Sequence, residues 1–191
     1  MKKTKLILVL LILFSNLLFG QTIDGITLGK TEKEVISKLI SKGFKLINTP
    51  TKTQKIYKGK LSNEDDVEIT IVSTPKTKLV WKLVITAYAY SWTSAKSTFE
   101  NYKDKLINKY GNSPSNNYHY FSTPYFEGDG YEMQALYKDK CTWYSSWDSP
   151  TISIEIKSFK YNVADIRISY ENEKASEINN TEKAEIDNKT F

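Results

Sequence analysis

The clearest pattern in the chain is an alternation of apolar and polar positions near its middle, over residues 79–90. Every second position of this stretch is apolar, namely Leu79, Trp81, Leu83, Ile85, Ala87 and Ala89. Side chains alternate between the two faces of a strand, so this face can enter a core while the other stays accessible. The other face includes Lys82, Thr86, Tyr88 and Tyr90. The pattern predicts a central β-strand.

Two stretches carry the spacing and the end signals of helices. The first begins at the capping box Thr31–Glu34, in which the two side chains satisfy backbone donors of the first turn, and it ends at Gly43. The second lies between Ser94 and Tyr110, where aromatic and apolar residues repeat every three or four positions, and it ends at Gly111. The sequence therefore predicts two helices separated by the central strand.

Alternating apolar positions predict strands on both sides of the second helix. They cover Thr22–Leu28, Phe44–Asn48, Gln54–Lys58, Val67–Ile71, Tyr118–Ser122, Tyr131–Tyr137, Cys141–Trp147, Ile152–Ile156 and Val163–Tyr170. A helix followed by strands thus occurs twice, over residues 23–90 and 91–170, which indicates a weak tandem repeat. Runs of strands that are each preceded by a single helix predict an α+β fold, in which an antiparallel sheet has its helices packed on one face.

The two ends of the chain differ in composition from its body. Residues 1–20 combine early lysines with a short apolar run and a final Gly20, which predicts a signal peptide and an exported protein, periplasmic or extracellular. The apolar run is shorter than the roughly 20 residues that span a bilayer, so no integral membrane segment is expected after cleavage. Residues 171–191 are mostly charged or polar and are predicted to be a disordered tail. The predicted single domain is residues 21–170.

The net charge of the chain gives little support to nucleic acid as a partner. The whole sequence carries +5, but three of its lysines lie in residues 1–20 and leave with the predicted signal peptide, so the remainder carries +2. The residues from Glu171 onward include six acidic and three basic side chains. A net positive charge this small is not typical of a nucleic-acid-binding domain.

The signals at the helix ends resemble those of a family of small extracytoplasmic domains. The matching positions are Gly29, Thr31, Val35, Gly43 and the stretch Tyr110–Pro114. In these positions the chain resembles the outer-membrane-assembly lipoprotein domain and its tandem relative, the beta-lactamase-inhibitor-protein-like fold. The resemblance extends over residues 23–170 and implies a domain whose exposed sheet binds another protein. The lipobox cysteine and the disulfides of the inhibitor-type members are missing from this sequence.

Aromatic residues are the strongest candidates for a binding surface. Tyr88 and Tyr90 lie on the polar face of the central strand, and Trp92 follows them. Tyr144 takes one face of its strand and Trp143 takes the opposite face, where it is expected in the core. Tyrosine and tryptophan offer large contact areas at low entropy cost, so Tyr88, Tyr90, Trp92 and Tyr144 are predicted to bind a protein or a cell-envelope component. The alternative is that they only fill the sheet and the core, because aromatic side chains favour strands.

Residues that carry chemistry are few. Cys141 is the only cysteine and His119 the only histidine, so the chain can form neither an intrachain disulfide nor a zinc site with several nitrogen or sulfur ligands. The predicted function is therefore a non-catalytic binding module without cofactor or metal. Two alternatives remain open. One is an extracytoplasmic hydrolase that uses scattered carboxylates or a Cys141–His119 pair, and the other is a structural component of the cell envelope.

Overall fold

A computed structural model describes residues 21–61, 66–111, 113–148 and 150–188. The predicted signal peptide lies outside these residues. The described chain forms these strands: β1 (Thr22–Ile23), β2 (Ile26–Thr27), β3 (Lys45–Thr51), β4 (Gln54–Lys60), β5 (Asp66–Ser73), β6 (Val80–Ala89), β7 (Asn116–Phe121), β8 (Cys141–Asp148), β9 (Thr151–Lys160) and β10 (Val163–Glu171). Its helices are α1 (Glu32–Ser41), α2 (Trp92–Tyr110), α3 (Glu132–Tyr137) and α4 (Glu173–Asp187).

The strands β3 to β10 form one antiparallel sheet in the order β3-β4-β5-β6-β10-β9-β8-β7. As its pattern predicts, β6 lies at the centre of the sheet, between β5 and β10. Each half of the sheet is a four-stranded meander that follows a helix, and the last strands of the two meanders pair with each other. The predicted α+β class with an antiparallel sheet is confirmed, and this strand order is compatible with two helix-then-strands units.

The helix ends form as their sequence signals predict. The Thr31 hydroxyl accepts a hydrogen bond from the backbone N–H of Glu34 (3.4 Å), and the Glu34 carboxylate accepts one from the backbone N–H of Thr31 (2.9 Å). α2 begins at Trp92, slightly earlier than predicted, because Ser91 caps it. Gly111 ends α2 with φ +78°, a left-handed conformation that glycine adopts without a Cβ clash.

The core lies between α1, α2, α3 and one face of the sheet. The strand register aligns one central row of buried residues, Ile69, Ile85, Ile168 and Ile154. Leu39 of α1, Phe99 of α2 and Leu136 of α3 belong to the same buried cluster. Because each such side chain contributes about 1.5–3 kcal/mol when fully buried, this layer supplies the main stabilisation of the fold.

In the segment Tyr131–Tyr137, residues Glu132–Tyr137 form the helix α3, and the prediction of a strand there is wrong. Its neighbouring residues Ala135 and Leu136 are both buried, whereas neighbours in a strand point to opposite faces. The preceding turn is fixed by the Asp129 carboxylate, which accepts hydrogen bonds from the backbone N–H groups of Phe126 (3.0 Å) and Tyr131 (2.7 Å). The backbone before α3 is therefore held in a turn, whereas a strand would require an extended backbone there.

The prediction of a disordered tail is also wrong, because residues 173–187 form α4. Its first turn is capped by Asn172, whose Oδ1 accepts a hydrogen bond from the backbone N–H of Ala175 (3.0 Å). The Glu182 carboxylate accepts hydrogen bonds from the backbone N–H of Lys76 (2.5 Å) and from the Thr77 hydroxyl (2.6 Å). The buried side of the helix consists of Ala175, Asn179 and Glu182. The helix is thus held largely by polar contacts, which a count of apolar residues does not reveal.

Candidate partner-binding surface

The sheet face that points away from α1, α2 and α3 carries polar and aromatic side chains, and we call it the open face. Its first row across the strands is Glu68, Thr86, Arg167, Glu155, Tyr144 and Tyr118. Its second row is Thr70, Val84, Ser169, Ser153, Ser146 and Asn116. A third row, on the other side of the first, contains Tyr88, Asp165 and Lys157. The open face therefore combines aromatic rings with charges of both signs.

Tyr88 is held in place by a hydrogen bond between neighbouring strands. Its hydroxyl donates to the Glu68 carboxylate at 2.8 Å, while 42% of the residue remains exposed. Burial of the hydroxyl and its bond to Glu68 raise the pKa of Tyr88 above its ordinary value. The hydroxyl therefore stays protonated near neutral pH, and the ring has little rotamer freedom left to lose when a partner binds.

Asp165 and Arg167 form an ion pair beside Tyr88. The Arg167 Nη2 atom donates to Asp165 Oδ2 at 2.8 Å, and the guanidinium group lies 4.4 Å from the centre of the Phe159 ring. Burial raises the pKa of the Asp165 carboxyl, although the neighbouring Arg167 acts in the opposite direction. Phe159 itself is 69% exposed. The stacked guanidinium and the ring thus form a flat, accessible patch.

The outer strands of the second half add further aromatic side chains to the open face. Tyr118 of β7 and Tyr144 of β8 are opposite each other, and their stacked rings have centroids 6.3 Å apart. Tyr118 is exposed, and so is Tyr120, which alternates with it on the same side of β7. With Phe159 of β9 and Tyr88 of β6, they bring the number of aromatic side chains named on the open face to five.

The structure places two of the four predicted binding residues, Tyr88 and Tyr144, on the open face. Tyr90 lies just beyond the end of β6 and is 76% exposed. Tyr118 and Tyr120 were missed, although their alternation within a predicted strand was a usable signal. Phe159 was missed because it lies beyond the predicted end of its strand.

Trp92 lies in the core, so its prediction as a partner-binding residue is wrong. Its ring makes edge-to-face contacts with Phe121 (5.5 Å between centroids) and Trp143 (5.1 Å). The alternation of β6 does not extend to Trp92, because Ser91 caps α2 and Trp92 is the first residue of that helix. Trp143 is buried on the core face, as predicted.

Cys141 and His119 both lie on the core side of the sheet. Cys141 is 6% exposed, and burial raises the pKa of its thiol to about 12, which leaves almost no thiolate near neutral pH. The His119 ring stacks on Trp143 with centroids 4.3 Å apart, and its buried Nε2 has no hydrogen-bond partner within the described chain. Within the described chain, no hydrogen bond joins the Cys141 thiol to the Nε2 atom of His119. The described residues also contain no group of histidine, cysteine and carboxylate side chains arranged to hold a metal ion.

Comparisons with known proteins add no further information about identity. No family model, no curated protein and no solved structure matches this chain. Among the described helices, none has the length and the apolar character needed to cross a membrane. The class that the fold defines is an α+β domain with an eight-stranded antiparallel sheet, whose open face carries the candidate site.

Proposed function

We propose that this protein is an exported, non-catalytic binding module that recognises a protein or a cell-envelope component through the aromatic side chains of its open face. The observation that carries this proposal is the convergence of five aromatic side chains from several strands on one face. They are Tyr88, Tyr118, Tyr120, Tyr144 and Phe159. Tyrosine is enriched among the residues that dominate binding energy at protein interfaces, and several exposed aromatic side chains on one face are typical of an interaction site.

The rigidity of this surface supports the same function. The patch is built on strands, and three of its rings are held by neighbours: Tyr88 by Glu68, and Tyr118 and Tyr144 by each other. Side chains that are already ordered lose less entropy on binding, so the surface is preorganised. The charged side chains between the rings have both signs. This favours a partner with complementary charges at matching positions over a partner that is attracted by a large net charge.

The experiment that tests the function is affinity capture from the envelope fraction of the source organism. The bait is residues 21–191, because α4 docks on the domain and should be retained. A variant that combines Tyr88→Ser with Tyr118→Ser removes two exposed rings from the patch. A matched control is Tyr131→Ser, which changes a tyrosine that is also exposed but lies just before α3.

A partner retained by the wild type and by the control, but lost by the double variant, would support the proposal. Binding of that partner should weaken by about thirtyfold or more, the loss expected for a hot-spot residue. The double variant should stay folded, with a melting temperature lowered by only a few degrees, because it loses the bond of Tyr88 to Glu68 while both rings are largely exposed. Equal capture by all three baits, or capture of nothing, would overturn the proposed function.

Of the two alternatives, a hydrolase based on Cys141 finds no support in the structure, because the thiol is buried and protonated. To test this alternative, Cys141 is alkylated in the unfolded protein, which is then refolded. Unchanged activity on any substrate that is found would exclude a role for the thiol. The structural envelope component remains a prediction, and fractionation of the native protein with membranes would favour it.

A further inference from the structure

A small cleft opens in the second row of the open face, away from Tyr88 and Phe159. Its volume is about 260 Å³, and β8, β9 and β10 supply its lining. The side chains that define it are Tyr144, Ser146, Asp148, Ser153, Ser169 and Glu171. Pockets for drug-sized ligands have volumes of about 300–1,000 Å³, so this cleft suits a smaller molecule, on the scale of a single substituted ring.

The floor of the cleft is a row of three hydroxyl groups. Ser146, Ser153 and Ser169 are aligned by the register of three neighbouring strands, which lie about 4.8 Å apart. Ser146 is 9% exposed, and its hydroxyl oxygen accepts a hydrogen bond from Asn116 Nδ2 at 3.2 Å, so its own O–H remains available as a donor. Ser153 and Ser169 form no side-chain hydrogen bond within the described ranges. Each of the three hydroxyls can therefore donate to a ligand.

The two sides of the serine row differ in chemistry. On one side, Tyr144, two residues before Ser146 on β8, presents a ring that is stacked on Tyr118. On the other side are the carboxylates of Asp148 and Glu171, two residues after Ser146 and Ser169, which can accept hydrogen bonds. Glu171 is already paired with the Lys82 ammonium group at 2.8 Å, so its charge is offset. A ligand thus meets the Tyr144 ring, a hydroxyl floor and the carboxylates of Asp148 and Glu171, of which Asp148 has no ion-pair partner among the described residues.

We propose that this cleft binds one neutral sugar residue. A sugar hydroxyl both donates and accepts, as the serine hydroxyls do, so the two sets can pair completely. An amine has only donors to offer and would leave the serine protons without acceptors, while an anion would be repelled by Asp148. The C–H face of a sugar ring can pack on Tyr144. The cleft shares Tyr144 with the proposed partner-binding surface, but Tyr88 and Phe159 lie outside the cleft, so the two proposals can be tested separately.

The test is a titration of isotope-labelled residues 21–191, followed by the amide resonances of Ser146, Ser153 and Ser169. The probes are glucose, galactose and N-acetylglucosamine, the methyl glycosides of the same sugars, and methylamine as an amine without a hydroxyl group. We expect saturable shifts with at least one sugar, at an affinity on the order of 1 mM for a single ring. A free sugar that binds without its methyl glycoside points to a free monosaccharide. Equal binding of both points to a residue at the end of a glycan.

Two variants make the result specific to the cleft. Ser153→Ala combined with Ser169→Ala removes two hydroxyls and should weaken sugar binding about tenfold or more. The control Thr70→Val removes a hydroxyl from the same row of the open face, outside the cleft, and should leave the affinity unchanged.

The proposal is overturned if no sugar gives saturable shifts, if methylamine binds and the sugars do not, or if the double variant binds the sugars as the wild type does. The variant Tyr88→Ser separates the two proposals. It should keep sugar binding whether or not it loses the captured partner.

Discussion

The hydroxyl of Tyr88 donates a hydrogen bond to the carboxylate of Glu68, 2.8 Å away on the neighbouring strand. Glu68 pairs in register with Thr86, so Tyr88 is its diagonal neighbour on the same face of the sheet. The bond joins β6 to β5 and also fixes the orientation of an exposed ring. One contact therefore contributes to the stability of the sheet and to the shape of the candidate binding surface.

Replacement of Tyr88 by phenylalanine should separate these two contributions. Because the ring is retained and the hydroxyl lost, the free energy of unfolding should fall by about 0.5–1 kcal/mol, while most of the binding surface remains. Urea denaturation measures the change. Tyr90→Phe is the matched control, and it should leave stability unchanged. Equal stabilities of the two variants would show that the bond to Glu68 contributes nothing measurable.

His119 should make the protein less stable in mild acid. Burial lowers its pKa below the ordinary value of 6.5, and the Lys103 charge acts in the same direction. The folded protein therefore binds a proton at His119 less readily than the unfolded chain does. The stability contribution of neutral His119 is complete above the pKa of the unfolded chain, and it is lost as the pH falls through the pKa of the folded protein. The other charged groups that influence it are Glu100, Lys96 and Glu127.

The variant His119→Phe tests this dependence, since phenylalanine can keep the stack on Trp143. Urea unfolding of both proteins should give a constant difference above pH 7. Below about pH 6.5 the wild type should lose stability relative to the variant. A difference that does not change with pH would contradict the assignment.

The carboxylate of Glu182 should decide whether α4 stays docked. Its acceptor bonds to Lys76 and Thr77 link the helix to the β5–β6 turn. Burial acts to raise the pKa of Glu182, but these bonds together lower it below its ordinary value. Glu182→Ala should reduce the free energy of unfolding by about 1–2 kcal/mol. Hydrogen exchange should show faster exchange of the α4 amides. Glu177→Ala, at an exposed position of the same helix, should change neither measurement.

The Cys141 thiol should be nearly inert in the folded protein. Its pKa of about 12 and its burial both suppress attack on alkylating reagents. At pH 8, iodoacetamide should label the urea-unfolded protein far faster than the native protein, as mass spectrometry would show. The labelling rate of the native protein should be proportional to the fraction of molecules that are unfolded. Rapid labelling of native protein would indicate an accessible thiol.

The signals that the sequence carries locally were sufficient for most elements of the fold. The capping box at Thr31 and the glycine at 111 act within one turn of the helix, and the alternation in β6 is a property of a single strand. The position of α4 depends instead on Glu182 and Thr77, which are 105 residues apart, so no local pattern predicts it.

The candidate sites show the same limit. Tyr88 and Tyr144 could be placed on a common face because alternation fixes the side of each strand. The cleft could not be predicted, since Ser146, Ser153 and Ser169 are ordinary polar positions until the register brings them together. Trp92 was misplaced because a change from strand to helix occurs at Ser91, where the alternation ends.

The position of β10 has a kinetic consequence. It is the last strand of the sheet in the chain, yet it lies at the centre, between β6 and β9. Until β10 is in place, β6 has an open edge, and the two meanders share no strand pairing. Closing this gap requires the contact of Ile85 with Ile168, which are far apart in sequence, and contacts of this kind slow folding. During synthesis, the sheet can therefore be completed only after β10, its final strand, has left the ribosome.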